Sequence, residues 1–371
     1  MHWKKQKNLL NNTKMYIKLI FRFFITCLVF LSCERQKLNK TTLKERQLID
    51  TIGFTQYNWQ FDSIVARINP KDKIRSNQIY KAAICPHDDY AYAAGLYNRS
   101  LEGIKAKTII LIGVAHRARN FNLENKLVFG SFDKWKSNDN NIVVSPLRDS
   151  LTNKLSKDIF IVHDSMMQLE HSLEAINPFL LRNNKEVEII PILVPYITFE
   201  NMNLFSEELS RTVYEIMKKE KLQYGKDLAV VITNDAVHYG NTDWGGSDLA
   251  PFGVDSIGNS KAKQMDLKII DQCLTGSLSE EKIKMFNTYT IEEENFKEYK
   301  WVWCGRYSVP FGLLFANKLN ILFDKQALTG ELIDYQSSYP GNHLEVKDLG
   351  MGYTAPANSS HWVSYAGIKY K

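Results

Sequence analysis

The chain has 371 residues, of which 44% are hydrophobic, so a large core is available and wholesale disorder is excluded. Its net charge of +6 comes from six basic residues in the acid-free segment 1–32, and basic and acidic residues balance in the remainder. A nucleic-acid-binding role therefore has little support. Only three of the five cysteines follow Cys33, and this odd number argues against a disulfide framework.

The N-terminal segment has the pattern of an export signal. Basic residues precede the apolar run Phe23–Leu31, and Ser32 and Cys33 follow it. These nine residues rise only about 14 Å as a helix, which is too short to span a bilayer of about 30 Å. The small Ser32 before Cys33 resembles a bacterial lipobox, in which the cysteine becomes the lipid-modified first residue. Met15 is an alternative start of the protein. The alternative to a cleaved signal peptide is that this segment remains as an uncleaved anchor.

Three segments follow from this interpretation. We expect residues 1–32 to be a lipoprotein-type signal peptide and residues 33–50, which are polar and charged, to be a tether. Residues 51–371 are expected to form the folded domain. The lipid on Cys33 predicts a membrane-anchored protein at the cell envelope, facing the periplasm or the cell surface.

Within the folded domain, strand-like and helix-like patterns alternate. The apolar runs of strand length are Ala82–Cys85, Thr108–Val114, Asp158–Val162, Val187–Pro195 and Leu228–Thr233. The helical patterns of this part are Ala93–Lys105, Asp149–Leu155, Leu173–Arg182 and Asn203–Lys219. Continuous apolar strands that alternate with helices predict an α/β fold whose central sheet is covered by helices on both faces.

The C-terminal third begins with the glycine-rich segment Asp243–Asn259, which we expect to be a loop that acts as a lid or pocket wall. Helices are predicted at Ser260–Cys273, Ser279–Asn287 and Cys304–Leu319. Two alternating stretches, Leu344–Asp348 and His361–Lys369, predict edge strands.

Polar side chains follow three of the predicted strands. His87 and His116 each come after an apolar run, and Asp235 and His238 come after another. His171 opens a predicted helix. One strand-end histidine is more often bonded to a nearby carbonyl, but several together favour a cleft at the strand ends.

Cys304, Glu174 and Arg306 complete the candidates. A cysteine beside Trp301 and Trp303 is typical of a buried core thiol, and a carboxylate at a helix start needs no catalytic role. The candidates are far apart in sequence and form no short metal-ligand motif, so spacing alone does not define a metal site.

Six motifs in order nevertheless resemble one family. They are Pro86-His87, Gly113-x-x-His116, Glu170-His171-Ser172-Leu173-Glu174, Pro191-Ile192-Leu193-Val194, Asp235-x-x-His238-Tyr239-Gly240 and Cys304-Gly305-Arg306. Together they resemble the MEMO family, also called AmmeMemoRadiSam system protein B, from about Lys81 to the C-terminus. The resemblance implies a single α/β domain with a mixed sheet, similar to class III extradiol dioxygenases.

The resemblance also implies a metal pocket. His87, His116 and Cys304 would be the ligands of one iron or copper ion, with zinc as a further option. Asp235, His238 and His171 would line the same pocket as catalytic residues. Two imidazoles and a thiolate favour such ions over magnesium or calcium and leave a coordination position open. By this hypothesis Asp235 would orient an imidazole or hold a bound water, and His171 or His238 would move protons for a substrate.

Three functions fit this site. The first is a metal-dependent, dioxygenase-like oxidoreductase that acts on a small molecule, which the proton-transfer groups favour. The second is a non-catalytic metal-binding protein of the cell envelope, which thiolate ligation favours. The third is an interaction module that binds a peptide partner in the same cleft.

Overall fold

The computed structural model describes residues 43–69, 78–341 and 343–371, so the predicted signal peptide and Cys33 lie outside it. Residues Lys44–Lys371 form one compact unit. The strands, numbered in chain order, are β1 Glu45–Arg46, β2 Ala82–Cys85, β3 Thr108–Val114, β4 Leu127–Phe129, β5 Lys134–Ser137, β6 Asn140–Val144, β7 Phe160–Val162, β8 Glu188–Val194, β9 Leu228–Thr233, β10 His238–Gly240, β11 Gly276–Ser277, β12 Thr329–Ser337 and β13 His361–Tyr370.

The helices of the described residues are numbered in the same way. They are α1 Asn58–Arg67, α2 Tyr90–Leu101, α3 Leu147–Lys154, α4 Asp164–Leu169, α5 Asn177–Asn183, α6 Phe199–Glu220, α7 Ser256–Ile269, α8 Glu280–Thr290 and α9 Ser308–Asp324. A π-helical turn, Ile270–Leu274, extends α7, and short 3₁₀ turns occur at Ala118–Phe121 and Lys347–Leu349. None of these helices combines the length and the apolar character that a bilayer span requires.

One mixed sheet organises the unit. Its strand order is β1-β5-β6-β8-β3-β9-β2-β13-β12-β11, with β10 beside β13 and β4 between β7 and β8. The central strands β6, β8, β3, β9 and β2 are parallel, whereas β13, β12 and β11 continue the sheet in antiparallel fashion. The carboxyl ends of β2, β9 and β3 therefore meet at one edge of the sheet.

Both faces of this sheet are buried. Along β3, Ile110 and Ile112 pack into one core with α6 and α9, while Ile109 and Leu111 pack into a second core with α2 and α5. A side chain at Gly312 would overlap the Ile232 side chain of β9, so this glycine lets α9 lie directly on the sheet. The predicted α/β fold, with a mixed sheet covered on both faces, is confirmed.

Several predicted boundaries were wrong for local reasons. Helix α5 begins at Asn177 rather than Leu173, because the preceding residues form turns. Leu344–Asp348 is not a strand and ends in a 3₁₀ turn. His361–Lys369 is a strand, but it lies between β12 and β2 instead of at an edge. Its polar residues include Lys369, whose side chain donates to the Glu102 carbonyl oxygen at 3.1 Å.

The end of the predicted tether belongs to the folded unit. Glu45 and Arg46 form β1, which pairs in parallel with β5. The Arg46 side chain is fully buried, forms an ion pair with Glu174 and donates from Nε to the Met167 carbonyl oxygen at 2.8 Å. Its guanidinium also lies over the Trp135 ring. The folded unit thus begins several residues before residue 51.

Candidate metal centre

The sheet topology brings three of the candidate residues together. His87 follows β2, and His116 follows β3, so both lie at the edge where parallel strands end. Cys304 precedes α9 and reaches the same place because Trp303 bridges to Val237, just after β9. One ligand atom from each of His87, His116 and Cys304 lies within 4.8 Å of the other two.

His87 is buried and held in one orientation. Its backbone N–H donates to Asp235 Oδ1 at 2.9 Å, and its Nδ1 lies 3.2 Å from Thr233 Oγ1. Its Nε2 lies 3.2 Å from Asp235 Oδ2 and 3.5 Å from Cys304 Sγ. Burial, together with neighbouring imidazoles, lowers the pKa of His87 well below its ordinary value. A neutral imidazole therefore presents Nε2 to the cluster.

Glu170 orients His116. Its Oε1 lies 2.8 Å from His116 Nδ1, and its Oε2 accepts the His116 backbone N–H at 2.7 Å. Burial alone would raise the pKa of Glu170, but the charge and hydrogen bond of His116 outweigh it and lower the pKa to about 2. A carboxylate at Nδ1 leaves Nε2 as the ligand atom, and metal-binding histidines usually have such a partner on the nitrogen that does not bind the metal.

The thiol of Cys304 is buried against Asp235, in the segment that follows β9. The Asp235 backbone N–H donates to its sulfur at 3.1 Å, and the sulfur lies 3.3 Å from the Asp235 carbonyl oxygen. Burial raises the pKa of Cys304 well above its ordinary value. The residue is thus a thiol unless a cation replaces its proton, as happens when a metal binds.

These donors fit a transition-metal ion. Two imidazole nitrogens and one sulfur make a set that suits iron, copper or zinc, and three protein ligands leave a position for a small molecule. His116, Glu170 and His171 form a second group of the same kind that shares His116. The metal role of the predicted ligands stays a prediction, but the geometry that it requires is present.

Two of the predicted catalytic residues, His171 and Asp235, contact this cluster directly, and His238 follows Asp235 at the same edge of the sheet. The His171 ring centroid lies 4.7 Å from that of His116 and 5.8 Å from that of His87. His171 Nδ1 lies 3.4 Å from Asp50 Oδ2. Burial lowers the pKa of His171, but the hydrogen bond to Asp50 and the nearby carboxylates raise it overall to about 9.

Asp235 and His238 differ from His171 in their surroundings. Burial, followed by the charge of Asp88, raises the pKa of Asp235 well above its ordinary value. Burial lowers the pKa of His238, whose Nδ1 lies 3.2 Å from the Ala236 carbonyl oxygen. One edge of the sheet thus holds an imidazole with a raised pKa, another with a lowered pKa and a buried carboxyl group, which together can hold and move protons.

The predicted lid segment contacts this edge through Trp244. The Trp244 ring stacks on His361 with centroids 3.8 Å apart and meets His238 at 5.6 Å. Gly245 and Gly246 follow it with positive φ angles. Trp244 therefore holds this segment against His238 and His361, and the role as a lid or pocket wall stays a prediction.

Sequence reasoning did not identify Asp50, Asp266 or the role of Glu170. Glu170 stood inside a recognised motif, which was a usable signal, whereas Asp50 lies in the polar segment that was interpreted as a tether. The fully buried Asp266 accepts hydrogen bonds from Trp301 Nε1 at 2.8 Å and Trp303 Nε1 at 2.7 Å. It thereby fixes the segment that leads into Cys304, yet nothing in its local sequence distinguishes it.

The two secondary candidates have different surroundings. Glu174 pairs with Arg46 and accepts hydrogen bonds from the backbone N–H groups of Ile49 and Asp50. It therefore fixes the N-terminal segment in which Asp50 contacts His171. Arg306 is buried beside tyrosine rings.

The mixed α/β fold and the His87, His116 and Cys304 cluster define an α/β protein with a candidate metal-binding site at one edge of its sheet. Residues 55–355 match the model of the family described as Memo-like protein, so the chain belongs to the Memo-like family. A MEMO1 family protein of Thermococcus kodakarensis is 24% identical over 275 residues, covering 70% of this chain and 80% of that protein. One of Pyrococcus furiosus is 22% identical over 264 residues, with the same two coverages.

The fold is also similar to a solved structure of an uncharacterized protein from Escherichia coli K12. That comparison covers 76% of this chain and 98% of the other, with 13% sequence identity and a TM-score of 0.37.

Proposed function

We propose that the protein holds one iron or copper ion through His87, His116 and Cys304 and acts as a metal-dependent oxidoreductase on a small molecule. The observation that carries this proposal is the convergence of two imidazole nitrogens and a sulfur within 4.8 Å at one edge of the sheet. The bound ion would supply redox chemistry and a position for oxygen or substrate.

The surrounding residues favour turnover over storage. His171 and His238 are the proton-transfer groups of the proposal, and Asp235 positions His87 by accepting its backbone N–H at Oδ1. A site that only stores an ion has no need of imidazoles that are held outside the ligand set.

An oxygen-consumption assay tests this function, with the metal-loaded chain and catechol as the probe substrate. We expect His171→Gln and His238→Gln to retain the metal and to lower the rate by about 100-fold, the usual contribution of a general acid or base. His163→Gln is the matched control, because His163 caps α4 by accepting the Met166 N–H. Its rate should equal that of the wild type.

Metal handling without turnover is the second candidate. The burial of the Cys304 sulfur favours it, because a buried thiolate holds a soft ion tightly. If the chain binds metal but consumes no oxygen in the presence of any small phenol, the result would favour this function. A chain that takes up no metal but binds peptides would instead support the peptide-binding function.

We also propose that the protein is anchored at the cell envelope by a lipid on Cys33. The support is the sequence pattern of residues 1–33, with a basic start, a short apolar run and Ser32-Cys33. In bacterial cells that express the full chain, the protein should partition with membranes, and Cys33→Ser should abolish labelling by a radioactive fatty acid. Equal labelling of Cys33→Ser and wild type would contradict the proposal.

A further inference from the structure

Arg306 has a buried charge that forms no ion pair with any carboxylate of the described residues. Its side chain belongs to a residue that is only 3% exposed. Nη2 donates to the Lys297 carbonyl oxygen at 2.8 Å, whereas Nε and Nη1 have no hydrogen-bond partner among the described residues. Buried charges in proteins are normally paired or fully hydrogen-bonded, because the loss of hydration is costly.

Aromatic rings compensate for only part of this cost. The guanidinium carbon lies 3.4 Å from the Tyr299 ring centroid, 4.9 Å from that of Tyr307 and 5.8 Å from that of Tyr196. Stacking on a ring face stabilises a cation but satisfies none of its N–H groups. The Tyr307 hydroxyl donates to the Phe296 carbonyl oxygen at 2.5 Å and also interacts with the Arg306 side chain. Burial raises the pKa of Tyr307, so this hydroxyl is a neutral partner and supplies no counter-charge.

The position of Arg306 links this charge to the candidate metal centre. It lies two residues after Cys304, in a turn where its backbone N–H donates to the Trp303 carbonyl oxygen at 3.2 Å. Tyr299, whose ring stacks on the guanidinium, belongs to the same segment as Trp303 and Cys304. Tyr299 is 39% exposed, so the ring that stacks on the guanidinium is itself in contact with solvent.

We propose that Arg306 binds the carboxylate of a small organic acid beside the His87, His116 and Cys304 cluster. The inference rests on the proposed function, since it names the substrate class of the same site. A guanidinium forms charge-assisted hydrogen bonds with a carboxylate, and its free N–H groups supply the donors. The tyrosine rings offer apolar surface to a planar, aromatic acid.

Calorimetric titration of the wild-type protein with benzoate and with benzamide tests the proposal, because the two probes share a shape and differ in charge. We expect benzoate to bind at least about tenfold more tightly than benzamide, because benzamide cannot form a charge-assisted hydrogen bond with the guanidinium. Arg306→Gln should remove this preference and leave benzamide binding unchanged. Arg211→Gln, on the exposed face of α6, is the matched control and should keep the preference.

Equal affinities for benzoate and benzamide in the wild type would overturn the proposal, as would an unchanged preference in Arg306→Gln. Displacement of benzoate by inorganic phosphate at equal concentration would overturn the assignment to a carboxylate. If Arg306→Gln does not fold, Arg306→Lys replaces it. Lysine keeps the charge but lacks the planar donor array, so the preference should shrink without disappearing.

The same titration in Cys304→Ser separates this inference from the proposed function. Benzoate preference that survives in this variant and depends on Arg306 would support the anion site even if no metal binds to the wild type. Metal binding in the wild type without benzoate preference would refute the anion site and leave the proposed function standing. If the preference for benzoate over benzamide disappears in Cys304→Ser, benzoate would bind to the metal instead of to Arg306. This result would overturn the inference.

Discussion

At the scale of single residues, Glu170 determines which nitrogen of His116 faces the cluster. Both of its oxygens are engaged, one with the ring Nδ1 and one with the backbone N–H of the same residue. A carboxylate in this position fixes the tautomer and increases the basicity of the opposite ring nitrogen. The metal affinity of the site should therefore depend on a residue that is not among its ligands.

We expect Glu170→Gln to weaken metal binding by about 10- to 100-fold, the range found for outer partners of ligating histidines. Competition titration with a chelator measures the change. Glu186→Gln, an exposed glutamate before β8, provides the control and should bind as the wild type does. Equal affinities for Glu170→Gln and the wild type would show that His116 does not ligate the ion through Nε2.

The candidate residues themselves differed in how far they could be predicted. His87, His116 and Asp235 follow apolar runs directly, so their position at strand ends is a local property of the sequence. Asp50 contacts His171 from more than a hundred residues away and lies in a short segment without a strand or helix pattern, which gave no signal. Asp266 lies within α7, and only the tertiary packing of two tryptophans reveals its role.

At the scale of elements, strand β1 is held by a buried ion pair. Arg46 and Glu174 are both inaccessible, and the same carboxylate accepts the backbone N–H groups of Ile49 and Asp50. Glu174 therefore connects the N-terminal segment to the turn that follows Glu170 and His171. Loss of either charge leaves the other buried without compensation.

Arg46→Met should consequently lower the free energy of unfolding by about 3–5 kcal/mol, as expected when one partner of a buried pair is removed. Urea-induced unfolding gives this quantity. Arg211→Met, the control, removes an exposed i, i+4 ion pair with Glu207. It should change the free energy of unfolding by no more than about 0.5 kcal/mol. A similarly small change for Arg46→Met would mean that β1 is not part of the folded unit.

Long apolar strands were predictable, whereas short or polar ones were not. The runs of β2, β3, β8 and β9 are continuous because both of their faces are buried, and this pattern is readable from sequence. The hairpin of β5 and β6 is short and alternates between buried and less buried positions, so it was missed. Strand β1 has two residues, both charged, and is stabilised only by distant partners.

At the scale of the whole molecule, the fold and the site depend on one topological fact. Parallel neighbours β2, β9 and β3 end at the same edge, and β13 continues the sheet beyond β2. The residues after these strands therefore converge although they are distant in sequence. The alternating pattern predicted the parallel strands, but the inward position of β13 depends on pairing with β12 and β2, which no local pattern specifies.

The most direct test of the metal centre is the metal content of residues 34–371, purified anaerobically without an affinity-tag metal and measured by mass spectrometry. We predict about one equivalent of iron or copper in the wild type and little in Cys304→Ser, because three protein ligands define the site. Cys273→Ser removes another buried thiol, in Ile270–Leu274, and should retain the metal. Equal metal content in Cys304→Ser and the wild type, or none in either after reconstitution, would contradict the proposed ligand set.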